Sequence, residues 1–257
     1  MSETPMPRGA VLRLAASAED VAAAAASEVL ALLDAAIAWR GEAHLVLAGG
    51  RTPAAMYRTL ASRPFDGWPY VHAWFGDERT VPPDHADSNY RLAHETLLAS
   101  VPIPEDHVHR LEGEAEPAAS AAAYDDALRA LAKRQDRVVP ALDVVLLGMG
   151  ADAHTASIFP GSPLLAPHEG EGEEPLAAAV HVPSLDTWRL TITRAAIRDA
   201  RAVLVLVTGA DKHAALRRVL AEDVPLADAP ATLLHHVEGD VAWFVDREAL
   251  FGESLKS

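Results

Sequence analysis

Leu142-Asp143-Val144-Val145-Leu146-Leu147-Gly148-Met149-Gly150-Ala151-Asp152-Ala153-His154 is the stretch that decides the fold. Residues 142–147 are almost continuously apolar and run into glycine, the pattern of a strand buried on both faces. The glycines lead into a segment read as a short helical turn carrying His154, which Pro160-Gly161 stops. Working outward, the same alternation recurs. Residues 43–48 read as a buried strand ending in Gly49-Gly50, with a helix from Pro53. Residues 71–75 form the next strand, ending in Asp77-Glu78-Arg79. Residues 87–99 and 118–134 read as helices, and 189–193 as a half-buried strand. Residues 202–208 are another apolar strand, with a helix from Asp211, and 241–245 are the last strand. Ser17 with Asp20 resembles a capping box opening the first helix. Alternating strands and helices predict an α/β fold with a mainly parallel sheet flanked by helices. No repeat or linker divides the chain, so a single domain spanning 1–257 is expected.

Composition narrows the chemistry. Lys and Arg total 22 against 37 Asp and Glu, a formal net charge of −15. A nucleic-acid binder needs a basic footprint, and none is visible. An anionic ligand would need a local cluster of cations and backbone N–H groups, with distant acids screened over roughly 8 Å. The absence of cysteine removes thiol nucleophiles, thiolate metal sites and disulfides. Residues 1–9 lack the apolar core of a signal peptide, and Glu28 and Asp34 interrupt the Ala-rich stretch 21–39. The expectation is a cytoplasmic protein with no membrane partner, of undefined oligomeric state and compatible with a monomer.

Three strand ends carry glycine with polar residues: Gly49-Gly50-Arg51-Thr52-Pro53, Gly148-Met149-Gly150 and Gly209-Ala210-Asp211-Lys212. In open α/β sheets ligands bind beyond the carboxyl ends of strands, so these ends suggest one composite pocket. Thr52 is suited to cap the helix after the first turn, whose free N–H groups and dipole favour phosphate; an ordinary strand-to-helix turn is the other reading. Gly148-Met149-Gly150 with Ala153 fits a loose dinucleotide pattern, but the helix that pattern needs is cut short at Pro160. His154 near a helix start would stay neutral, as a general base must, and Asp152 is close enough to orient it. Alone, the residue reads more readily as a surface or capping histidine. His94-Glu95 begins like a zinc-protease motif, but Leu98 occupies the place of the second histidine. His107, His109, His235 and His236 lack partners at metal-ligand spacing; His44, His72 and His181 border strands and read as structural.

Taken in order, these segments resemble the 6-phosphogluconolactonase family across nearly the whole chain. The carriers are the Gly49-Gly50 turn, Asp77-Glu78-Arg79 with Val81-Pro82, Asp87-Ser88-Asn89-Tyr90, and the run from Asp143 through His154 to Gly161. Pro183, Arg189-Leu190-Thr191, Gly209 and Lys212 complete the set. The resemblance implies a Rossmann-like α/β fold with a smaller associated lobe. It also implies hydrolysis of 6-phosphoglucono-1,5-lactone, a phosphorylated sugar lactone, in the oxidative pentose phosphate pathway, without metal or cofactor. Carried over, His154 is the base that activates water, with Asp152 and Arg189 as further catalytic residues. Gly49, Gly50, Arg51, Thr52, Arg79 and Lys212 hold phosphate. The family usually has glycine where this chain has Ala153, and a methyl there disfavours positive φ, so the loop is expected to differ slightly. Related glucosamine-6-phosphate deaminases place a Glu where this chain has Phe159, which makes deaminase the second enzymatic reading. A silent sugar-phosphate sensor is the third, and the intact His154 argues against it.

Overall fold

The computed structural model describes residues 10–168, 173–221 and 224–252. In chain order its elements are β1 (Ala10–Ala15), α1 (Ala18–Arg40), β2 (Ala43–Leu47), α2 (Arg51–Ala61), β3 (Val71–Phe75), β4 (Asp77–Arg79), α3 (Asn89–Thr96), α4 (Pro117–Arg134), β5 (Val144–Gly148), β6 (Ala177–Val182), β7 (Thr187–Ile192), α5 (Arg194–Arg198), β8 (Ala202–Val207), α6 (His213–Leu220), β9 (Asp240–Asp246) and α7 (Arg247–Phe251). Six strands form a parallel sheet in the order β1-β9-β8-β5-β2-β3. The expected Rossmann-like α/β fold is present, and the smaller lobe is an antiparallel sheet of order β4-β7-β6.

Every residue of β2 and β8 is buried, as is β5 up to its terminal glycine, because helices cover both faces of a parallel sheet. α1 starts at Ser17, whose Oγ accepts the Asp20 N–H at 3.2 Å, and stops at Gly41 in the left-handed region. It is long and apolar enough by composition to cross a membrane, but Val21, Ala25, Val29 and Leu33 are buried within the protein core. Between β3 and β4 the chain passes from one sheet to the other through Gly76 alone, whose N–H donates to Leu47 O and whose carbonyl accepts from Ile192 N.

Chain order places the topological switch between β2 and β5: from β2 the chain adds β3 on one side, then returns to place β5 on the other. The carboxyl ends of these two strands are the Gly49-Gly50 and Gly148-Met149-Gly150 segments, so the fold puts both glycine turns at the position where open sheets bind ligands.

At the opposite end of the sheet sits an array of imidazoles. His72 stacks on His107 with centroids 3.8 Å apart, and its Nδ1 lies 3.1 Å from Nε2 of His109. Trp74 stacks on His109 at 3.9 Å and donates through Nε1 to His44 Nδ1 at 3.2 Å. Glu42 accepts from His44 Nε2 at 3.0 Å. Of the acidic loop 169–174, residues 169–172 lie outside the described residues; Glu173 and Glu174 pair with Arg129 and Arg194.

Candidate active site

A cleft of about 210 Å³ opens at the switch point, with Gly49 and Gly50 on one wall and Gly148 and Gly150 on the other. His154, Arg79 and Lys212 line it too. A second cleft, of about 500 Å³, shares Gly49, Gly50, Gly148, Met149 and Lys212 with the first and adds Arg51 and Thr52. Lys212 therefore stands where the two spaces meet. Its Nζ has Asp211 Oδ2 as a neighbour at 3.2 Å.

The loop carrying His154 is not the helix start expected from sequence. It is built of turns closed by a bridge between Thr155 and Ile158. The reason is backbone conformation: Ala153 and Ala156 have φ of 68° and 47°, outside the right-handed helical region. The helix dipole invoked for His154 is therefore absent. Ala153, whose methyl disfavours positive φ, adopts it nonetheless. The turn is held by Gly150 N–H to His154 O at 2.9 Å, Ala153 N–H to Gly150 O at 3.0 Å and Ala231 N–H to Ala153 O at 2.9 Å.

Asp152 orients the imidazole. Its Oδ1 lies 2.6 Å from His154 Nδ1 and accepts the His154 main-chain N–H at 3.1 Å. Burial works to raise the Asp152 pKa, but the hydrogen bond to and charge of His154 outweigh it and draw it down to about 2. At neutral pH Asp152 is a carboxylate and can only accept, so Nδ1 carries a proton, and in the neutral ring the lone pair falls on Nε2. Phe159 stacks on the imidazole with centroids 4.3 Å apart. A side chain at position 150 has no room: a Cβ there would lie 2.1 Å from His154 Nδ1 and 2.4 Å from Asp152 Oδ1.

The remaining candidates divide. Thr52 does not cap α2; Gly50, at φ 106°, is the N-cap without a side-chain bond, and Thr52 Oγ1 bonds Thr208 Oγ1 at 2.7 Å instead. Arg79, in β4, pairs in register with Arg189 of β7. Arg189 lines neither cleft, and its Nη1 donates to its own hairpin at Trp188 O and Thr187 Oγ1. Burial and then the neighbouring Arg79 lower its pKa. The sequence reading assigned no role to Asp77 or Asn89, yet both line the first cleft. Asp77 Oδ2 accepts from Ser157 Oγ at 2.7 Å and Oδ1 from Asn89 Nδ2 at 3.1 Å. Their place in the DER and DSNY motifs was the available signal; their meeting was not. Among the described residues no group of three or more side chains is arranged to hold a metal ion.

A glycine-walled cleft at the switch point of a parallel sheet, lined by Arg79, Lys212 and an imidazole held by a carboxylate, is the mark of an α/β enzyme. Comparison with known proteins agrees. Residues 16–243 match the family described as glucosamine-6-phosphate isomerases/6-phosphogluconolactonase. A 6-phosphogluconolactonase from Synechocystis is 36% identical, over 86% of this chain and 88% of its own. One from Pseudomonas putida is 35% identical over 95% and 96% respectively. The solved 6-phosphogluconolactonase of Trypanosoma brucei superposes with a TM-score of 0.82 at 31% identity, covering 95% of this chain and 98% of that one. A monomeric glucosamine-6-phosphate deaminase shares the fold, with a TM-score of 0.75 at 20% identity over 95% of this chain and all of its own. The chain belongs to the glucosamine-6-phosphate isomerase/6-phosphogluconolactonase family and is an ester hydrolase of its lactonase side.

Proposed function

We propose that this protein hydrolyses 6-phospho-D-glucono-1,5-lactone to 6-phospho-D-gluconate, a step of the oxidative pentose phosphate pathway, as a cytoplasmic enzyme. The observation that carries this reading is His154, held by Asp152, lining the same cleft as Arg79 and Lys212. Nε2 of His154 takes a proton from water as the water oxygen bonds to the lactone carbonyl carbon. The negative charge that develops on the carbonyl oxygen is met by a cation at the rim. The ring C–O bond then breaks, and the imidazolium returns its proton to the departing ring oxygen. Water and lactone become the hydroxy acid, which ionises. Asp152 holds the imidazole in the required tautomer throughout. Lys212, Arg79 and the Gly49-Gly50 turn hold the phosphate, with Arg51 and Thr52 at the start of α2 beside them. Arg189, a further catalytic residue by the resemblance, is left outside the reading because it lines neither cleft.

The test is a lactone-opening assay on purified protein, corrected for spontaneous hydrolysis. Acceleration of 6-phosphogluconolactone opening, with no ammonia released from glucosamine 6-phosphate, is the expected result. Ammonia release without lactonase activity would overturn the reading.

A further inference from the structure

Of the two glycines that follow β2, only Gly50 sits at positive φ. Gly49 makes no such demand, yet a Cβ on it would lie 1.9 Å from Oδ1 of Asn89 and 2.4 Å from its Cγ. The space before Gly49 is filled by the side-chain amide of the first residue of α3. Asn89 is 2% exposed. Its Nδ2 donates to the Asp77 carbonyl oxygen at 2.9 Å and to Asp77 Oδ1 at 3.1 Å, and its main-chain N–H donates to Glu78 Oε1 at 2.7 Å. Two acceptors on one side of the amide fix which end is NH2. Oδ1 is thereby turned to Gly49, buried and without a hydrogen-bond partner among the described residues. An unpaired buried acceptor is unfavourable, so the arrangement calls for an explanation beyond α3 itself.

Asp77 supplies one. Its second oxygen is tied to Ser157, on the His154 loop. Asn89 thus joins the three segments that make the cleft: the end of β2, the start of β4 and the His154 loop. We propose that Asn89 is a positioning residue for ligand binding, its amide clamping the Asp77 carboxylate on one side and wedging against Gly49 on the other. The proposal deepens the reading of the cleft as a sugar-phosphate site and rests on it. A carboxylate has about four acceptor positions, and Asp77 uses one on each oxygen, so acceptors remain for hydroxyl donors of a polyhydroxylated ring. The same carboxylate repels phosphate. The sugar ring therefore lies on the Asp77–Asn89 wall and the phosphate towards Lys212.

Asn89→Asp keeps the size and the wedge but removes both donors and sets a second carboxyl against Asp77. It is expected to raise KM for 6-phosphogluconolactone and weaken 6-phosphogluconate binding in calorimetry by about tenfold or more, with kcat changed less. Wild-type KM and product affinity would overturn the positioning role, whatever happens to the melting temperature. Should Asn89→Asp not fold, Asn89→Ser takes its place with the same two outcomes. Gly49→Ala is expected to lower the melting temperature in the wild type and to cost little once Asn89→Ala has emptied the space; additive effects would overturn the wedge. If the wild type leaves the lactone untouched, the functional reading fails by itself, and the Gly49/Asn89 thermal cycle still decides the wedge, non-additivity supporting it and additivity overturning it.

Discussion

A Cβ at position 150 would occupy the space where His154 Nδ1 meets Asp152. Gly150→Ala therefore displaces the base without touching its chemistry. Displacements near 1 Å cost on the order of 10²-fold, and kcat is expected to fall by that much with the fold intact. His154→Asn removes the base itself, and kcat is expected to fall about 10²–10⁴-fold with KM little changed. A folded His154→Asn protein that kept most of its kcat above the spontaneous rate would end the mechanism. Ala153 offers a separate test. It holds φ 68° while fully buried. Ala153→Gly relieves left-handed strain of roughly 1 kcal/mol and forfeits a buried methyl of about 0.8 kcal/mol. The two nearly cancel, so urea midpoints should differ little between the variants. A loss of about 0.8 kcal/mol or more would mean the strain is not there.

At the scale of elements, the β8–α6 turn carries Lys212 to the boundary of the two clefts. A charge-assisted bond to phosphate contributes about 1.5–3 kcal/mol, so Lys212→Ala should raise KM for the phosphorylated lactone roughly tenfold or more. Gluconolactone without phosphate should be hardly affected; equal losses on both would remove Lys212 from the phosphate site. Elements also show what the sequence could disclose. β2, β5 and β8 were legible because burial on both faces leaves an uninterrupted apolar run, and the glycines after β2 and β5 marked the switch point. β6 was not, since Ala177–Val182 is rich in alanine, which carries little strand preference. β1 was missed as well: Arg13 interrupts an edge strand whose Val11 and Leu14 stay exposed. The His154 loop reads as helical because alanine is the best helix former, and the glycine that the family carries at 153 was the one hint of positive φ there. The Asn89–Gly49 contact lies beyond sequence reading altogether, being made between residues that only the fold brings together.

For the molecule as a whole, the imidazole array at the end of the sheet opposite the cleft contributes sensitivity to acid. Burial first, then the neighbouring imidazoles, push His72 and His109 down to about 4, and burial lowers His44 as well. Glu42 and Asp143 pull in the opposite sense, and Arg134 adds to the depression. An unfolded histidine takes its proton near pH 6.5. Between that value and about 4 these rings bind more protons in the unfolded chain than in the folded one, so the stability they contribute falls as pH drops through this window. Urea midpoints should decline from pH 7 to pH 5, and His72→Gln should flatten the decline. An unchanged slope in that variant would shift the acid sensitivity elsewhere. The array also has an optical side. Protonated imidazole quenches excited indole more strongly than the neutral ring does, and Trp74 lies face to face with His109 while donating to His44. Its emission should dim as the first of these rings takes a proton, before the sheet gives way, and Trp74→Phe should abolish that early dimming. Dimming of that kind would make the sheet a fluorescent gauge of acidity, set into the end opposite the cleft.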